Sequence, residues 1–455
     1  MKKFRLSSIY LIPLSFLAAI LIGTVLLALP VSSASGNWTP IEDALFTSAT
    51  SVCVTGLVVV DTYLYWSVFG QAVILVLIQI GGLGVITVVA TLMMLARKRF
   101  SLSSRLALRD ALNLDSISGL LGFLSRIVRG TLIVEIIGAL LYMIAFVPAF
   151  GARHGIWVSV FNSVSAFCNA GLDIIGPDSL TPFRTQPLVL IVTMLLIISG
   201  GIGYVVWMDL SKKTAFGIKR SFSPGQIIKR LSEHAKLVLS ITLTLIIAGA
   251  LLVFLAERNN PDTIGSMSLP MKILNSLFES VTFRTAGFAT FAQKGITDIT
   301  CVAAYLLMFI GGSPIGTAGG VKTTTFYLYL LNISSYIRGK SKVKVFNRSI
   351  SGAQMKKASV IVEVSAITVI VLTLLLIATN PVDIKDGLFE IMSACATVGL
   401  TRGVTTTLNV AGKLIVTLAM YLGRIGPISM AMFLARGKSA AEPEMQYADG
   451  NFYIG

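Results

Sequence analysis

Four segments of this chain begin with an apolar residue and Phe, run through Ser, Thr and small residues, and end in Gly-Leu or Gly-Phe. They read LFTSATSVCVTGL at 45–57, VFNSVSAFCNAGL at 160–172, LFESVTFRTAGF at 277–288 and LFEIMSACATVGL at 388–400. Phe and glycine are ten residues apart in three copies (Phe46 to Gly56, Phe161 to Gly171, Phe389 to Gly399) and nine apart in the third, Phe278 to Gly287. A dehydrated monovalent cation needs a cage of oxygens, and backbone carbonyls supply one without a net charge that would trap the ion. Glycine lets the backbone aim successive carbonyls along one axis. The lining would be Cys53, Val54, Thr55 and Gly56; Cys168, Asn169, Ala170 and Gly171; Arg284, Thr285, Ala286 and Gly287; and Ala396, Thr397, Val398 and Gly399. No Asp or Glu falls in these stretches, which disfavours a carboxylate ring for divalent ions. Loops that merely pack could account for one copy, but poorly for four.

Two further features could act on an ion. The stretch LLMFIGGSPIGTAGGVKTTTF carries Gly311, Gly312, Gly316, Gly319 and Gly320 with Pro314, too much Gly and Pro for a continuous helix. With Ser313, Thr317 and Lys322 it forms a candidate gate; a packing kink is the bland alternative. It is no phosphate loop, because Val321 separates Gly320 from Lys322. Arg424 lies in a glycine cluster with apolar residues on both sides, and an arginine deep in a span is functional by default. Lys322 reads as a snorkelling residue at the loop's cytoplasmic edge, and Glu135 and Glu363 as residues near span ends or in helix contacts.

The elements that must hold these residues are membrane spans. The 455 residues are 55% hydrophobic and 13% charged, and apolar runs long enough to cross a bilayer recur at 8–31, 71–95, 127–150, 187–209, 237–256, 302–335, 358–379 and 411–434. An N-terminal apolar run of that length is too long for a signal peptide and reads as an uncleaved span. The four segments fall between alternate pairs of spans. Of 37 Lys and Arg, 26 cluster at 2–5, 97–129, 212–236, 338–357 and 436–438, and nine lie in the segment-bearing loops. That asymmetry puts both termini in the cytoplasm of a multi-pass plasma-membrane protein, with the segments entering from outside. The net charge of +16 is therefore topological, and no nucleic-acid partner is expected. Four cysteines without CxxC spacing support neither a disulfide framework nor a metal cage.

The chain divides into repeats at 1–110, 120–215, 235–345 and 355–440, with a cytoplasmic tail at 441–455, all within one membrane domain. A second mark repeats in step: GGLG at 81–84, GGIG at 200–203, GGSPIG at 311–316 and GRIG at 423–426. Thr39-Pro40-Ile41-Glu42 reads as a capping box with Pro at the first helical position, and Asn380-Pro381-Val382-Asp383 as a similar start. The expected fold is an all-α membrane protein: four span–pore loop–span repeats, with eight spans and four reentrant helices around a central pore.

Here the residues resemble the Ktr/Trk/HKT superfamily of potassium transporters, specifically its Ktr-type membrane subunit, over nearly the whole chain. The NAGL, RTAGF and TVGL segments carry the likeness. It implies potassium uptake by channel-like permeation, gated by the intramembrane loop at 311–322 with Arg424 beside it. Family members with Ser at the first filter glycine favour sodium, so Gly56 implies potassium; Cys53 stands where the family has Thr. The resemblance also implies a homodimer in lipid with one pore per protomer, docked on a separate cytosolic, nucleotide-binding ring of RCK type. No cofactor is expected in this chain, and the only metal is the transported potassium, with sodium as a candidate activator or coupled ion. A coupled secondary transporter of another cation or solute is the alternative, though such proteins usually show two inverted halves. A membrane enzyme is disfavoured, because no span offers a nucleophile with a base.

Overall fold

A computed structural model of the chain describes residues 8–95, 120–339, 343–346 and 348–426. The tail at 441–455, the basic clusters at 2–5 and 436–438, residues 97–119 and the end of the last span lie outside the described residues.

Each repeat opens with a lead helix that is continuous and apolar enough to cross a membrane: Ser8–Ala28, Leu120–Phe150, Glu233–Glu257 and Gly352–Thr379. Their exposed side chains are Leu, Ile and Val, as in Ile22, Val25, Ile133, Ile136, Leu243, Ile247, Ile370 and Leu374. A surface that greasy faces lipid, where the helix satisfies its own backbone. A short helix follows: Ile41–Cys53, Ala152–Cys168, Leu269–Thr282 and Ile384–Ala396. These are too short to span. They bury polar residues such as Ser48, Thr50, Asn162, Ser165, Ser280, Glu279, Glu390 and Ser393 in the protein interior.

The return helices depart from the sequence reading, which expected an interruption in the third repeat alone. Val68–Leu83 bends by 99° into the following helix, and Pro187–Gly201 by 103° into Tyr204–Lys219. The breaks fall on Gly84 (φ 85°) and Gly203 (φ 89°), and Val410–Ile425 likewise ends at Gly426 (φ 89°). A residue with a Cβ is strained there, so the glycine clusters mark breaks as well as close packing. In the third repeat Asp298–Phe309 stops, and helix resumes only at Thr323–Ile337.

Two expected helix starts also shift. Ile41–Cys53 begins one residue later than expected, because Pro40 is its N-cap and not its first residue, and the buried Thr39 hydroxyl has no partner, so there is no capping box. The fourth short helix starts at Ile384 behind Asp383, three residues later than Pro381. A two-stranded hairpin, Lys344–Val345 with Arg348–Ser349, is a small exception to the all-α expectation.

Polar contacts tie adjacent repeats at every seam. Trp157 Nε1 donates to Gln71 Oε1 at 2.8 Å between the second and first, and Asn275 Nδ2 to the Arg184 carbonyl at 2.9 Å between the third and second. Arg402 Nη1 donates to the Gln293 carbonyl at 2.7 Å between the fourth and third. Lys413 pairs with Asp43 between the fourth and first. The chain closes on itself as a ring of four.

Candidate functional site

The four segments selected by spacing converge. Three short helices are capped by a residue in the left-handed region, Val54 (φ 56°), Asn169 (φ 60°) and Thr397 (φ 52°); in the third the C-cap Phe283 is right-handed and the left-handed residue is Thr285 (φ 67°), three residues past the helix. Two residues later comes the glycine, at φ 100° for Gly56, 66° for Gly171, 84° for Gly287 and 96° for Gly399. The one-residue deficit of the third copy is absorbed at the helix end. Thr55, Ala170 and Val398 donate their N–H to a carbonyl five residues back (Thr50, Ser165, Ser393), whereas Ala286 donates to Thr282, four back. The lining residues therefore align despite the deletion. Hydroxyls from the last helical turn brace the strands: Thr50 Oγ1 and Ser393 Oγ accept from Gly56 N and Gly399 N, each at 3.0 Å, and Thr282 Oγ1 donates to the Phe288 carbonyl at 2.7 Å.

The glycines also lock the repeats together in order. A Cβ on Gly56 would lie 2.5 Å from the Ala170 carbonyl oxygen, one on Gly171 2.5 Å from that of Ala286, and one on Gly287 2.6 Å from that of Val398. One on Gly399 would strike the Thr55 carbonyl, which closes the circle. The cycle thus runs first to second to third to fourth to first, with room for glycine only. Four helix C-termini, each with its partial negative charge, meet at this ring. The hydroxyls of Thr55, Thr285 and Thr397 are buried there without a protein partner.

Residues 311–322 form a loop. Its neck is closed by Gly311 N to the Val321 carbonyl at 2.9 Å and Val321 N to the Phe309 carbonyl at 3.2 Å. Its tip is fixed to the broken helix of the second repeat, where Ser313 N donates to Gly201 O at 2.9 Å and Tyr204 N to Ile315 O at 2.8 Å. Thr317 Oγ1 donates to Asn169 Oδ1 at 2.9 Å, and Gly319 packs against Thr397. Arg284 and Arg424 both reach the loop. Arg284 Nη2 donates to Gly311 O at 3.3 Å, so this side chain leaves the ring and only its backbone lines it. Arg424 donates from Nη1 to the Thr317 carbonyl and from Nη2 to Gly81 O. Lys322, read as a snorkelling residue, instead folds its amine onto the loop's own Ala318 carbonyl at 2.6 Å.

Two placements escaped the sequence reading, and a third is narrowed. Of the two readings of Glu135, span end or helix contact, the second holds: it stands halfway along Leu120–Phe150, buried, and accepts from Gln79 Nε2 of another helix at 3.3 Å. Asp173, two residues beyond Gly171, accepts from Ser179 Oγ at 2.7 Å and Ile175 N at 3.2 Å. Burial pushes its carboxyl up to about 6, against the lowering effect of those hydrogen bonds. Arg402, counted only as an outer-loop charge, pairs with Asp386 at 2.7 Å and donates to the Gln293 and Lys294 carbonyls of the third repeat.

Fold and site together define a multi-pass helical membrane protein of a cation-transport class. The sequence profile of the TrkH cation transport proteins matches residues 11–441, and the chain belongs to that family. It is similar to the potassium/sodium uptake protein NtpJ of Enterococcus hirae, at 36% identity over 99% of this chain and 98% of that one. It is also similar to the Ktr system potassium uptake protein B of Bacillus subtilis, at 37% over 100% and 98%. Among solved structures, the potassium transporter TrkH from Vibrio parahaemolyticus matches with a TM-score of 0.73 at 17% identity, over 95% of this chain and 86% of that one, which supports the fold.

Proposed function

We propose that the chain is the pore-forming subunit of a potassium uptake system, conducting in a channel-like way along the ring of four glycine-ended segments. The observation that carries this reading is the closed glycine–carbonyl cycle of Gly56, Gly171, Gly287 and Gly399 without an acidic side chain in the lining stretches. Carbonyl oxygens of Cys53 to Thr55 and their counterparts would replace the water around a potassium ion, while helix C-termini favour the cation. The loop at 311–322 is the gate, with Arg424 clasping it to the first repeat. The names of relatives agree in chemistry, and one names both potassium and sodium, so sodium belongs in every flux assay.

On this reading eight spans cross the membrane, and both termini are cytoplasmic. Two such chains assemble on a separate nucleotide-binding ring of RCK type, which meets the basic inner surface and biases the loop. The test is flux from the purified full-length chain in liposomes, with and without a regulatory subunit. Potassium should pass in preference to sodium; a chain that moves neither ion with its partner present, or moves a non-ionic solute, overturns the proposal.

A further inference from the structure

The repeats can be compared with one another, residue by residue. In three of them a serine of the short helix donates to a lead-helix carbonyl: Ser48 to Ile20 at 2.7 Å, Ser163 to Glu135 at 2.6 Å and Ser280 to Ile246 at 2.8 Å. Three residues further along stand Gly23, Gly138 and Gly249, each against the same serine and against Leu77, Leu196 or Leu307 of the return helix. Glu135 therefore occupies the place that isoleucine fills in the first and third repeats. Two residues beyond those leucines come Gln79, Ile198 and Phe309, so Gln79 also replaces an apolar residue.

The matching pocket at the next seam confirms the equivalence. Between the second and third repeats, Ile198, Ile246 and Arg284 line one small cavity. Between the first and second, Gln79 and Glu135 meet Cys168, the counterpart of Arg284 in its segment. Cys168 Sγ lies 3.9 Å from Glu135 Oε1 and 3.7 Å from Gln79 Oε1. On its other side the thiol touches Gly82, where a Cβ would collide with it. At the neighbouring seam isoleucines, Ile198 and Ile246, fill the two matching positions beside Arg284. An acid and an amide placed at this seam instead, deep in the membrane, are costly features.

We propose that Glu135 and Gln79 form a positioning pair that holds Cys168 and thereby sets ion discrimination at the inner end of the second segment. The inference rests on the potassium-filter reading. Neither residue touches the ion. They fix a thiol whose own backbone carbonyl is the first of the segment, as a supporting shell fixes a binding site.

The wild-type full-length protein in liposomes is measured first for its potassium-to-sodium flux ratio; a wild type without preference would sink the proposed function, and this inference with it. Glu135→Ile supplies the residue that two other repeats already fold around. It should lower the ratio about fivefold, the worth of one ordinary hydrogen bond, while the protein stays folded by circular dichroism. Glu135→Gln can still bond Gln79 and should keep the ratio near wild type. Gln79→Ile should reproduce the loss, and the double variant should lose no more than either single one. A selective wild type with an unchanged ratio in both isoleucine variants refutes the pair. So do additive losses, or a Glu135→Gln protein as impaired as Glu135→Ile.

Discussion

At the scale of single residues, the glycines of the ring have two constraints at once. Gly56 sits at φ 100°, and its Cα faces the Ala170 carbonyl so closely that any side chain must displace it. Gly56→Ser should thus shift a carbonyl of the second segment, and the potassium-to-sodium flux ratio should fall by about tenfold or more. An unchanged ratio in a folded protein would separate this glycine from selectivity. Asp173 makes a prediction of another kind. Its native carboxyl holds a proton more tightly than an unfolded one, so its contribution to stability is fullest at low pH and is lost as pH rises through about 6. Between about pH 5 and about pH 7, Asp173→Asn should lose less melting temperature than the wild type. Equal losses would show that the group does not titrate there. The convergence of the four segments was legible because their residues follow from backbone demands: glycine where φ is positive, small residues where helices end. Glu135 was not, because its meaning depends on Gln79 and Cys168, which are distant in sequence and adjacent only once the seam forms.

At the scale of elements, the lead and short helices followed directly from apolar length and from the polar content of the segments. The return helices did not. Hydropathy runs on smoothly through Gly84 and Gly203, and it contains no signal that a helix turns by about a right angle there. Only the left-handed backbone at those glycines makes the turn, and GGLG or GGIG in sequence is equally a packing motif. Position 311–322 was legible because five glycines and a proline leave a helix no other course. The loop's fixation was hidden, since its contacts come from Gly201, Asn169 and Arg424. If the loop is a gate, deleting 313–317 should raise potassium flux through liposomes, and reduced flux at normal expression would support a purely structural kink. Arg424→Gln keeps some hydrogen-bonding capacity but removes the charge, and it should raise flux by a smaller factor than the deletion. Flux equal to wild type would mean that the guanidinium braces the loop without opposing ions.

At the scale of the whole molecule, the ring is only as sound as its last seam. Three seams join repeats that follow each other along the chain, but the fourth must bring residue 413 to residue 43. The Lys413–Asp43 pair is largely buried, with side-chain exposures of 19% and 14%. Lys413→Met leaves the carboxylate without its partner and should destabilise the protein by about 3 kcal/mol, seen as a lower melting temperature. Flux selectivity should suffer too, because Gly399 and Thr55 meet across the same seam. A melting temperature equal to wild type would show that the ring closes without this pair. The double variant with Asp43→Leu should recover part of the loss, since a matched apolar pair avoids an orphaned charge.

The loop from the third repeat touches residues of the second and fourth, and Arg424 links it to the first. Four identical subunits could not arrange this, since four equal loops would compete for a space that admits one. Four unequal units within a single chain remove that conflict of stoichiometry, because one of them alone can carry the loop. On the proposed function, the number of control elements is thereby uncoupled from the number of walls, and a change in one loop would retune the conduit while its surroundings stay as they are.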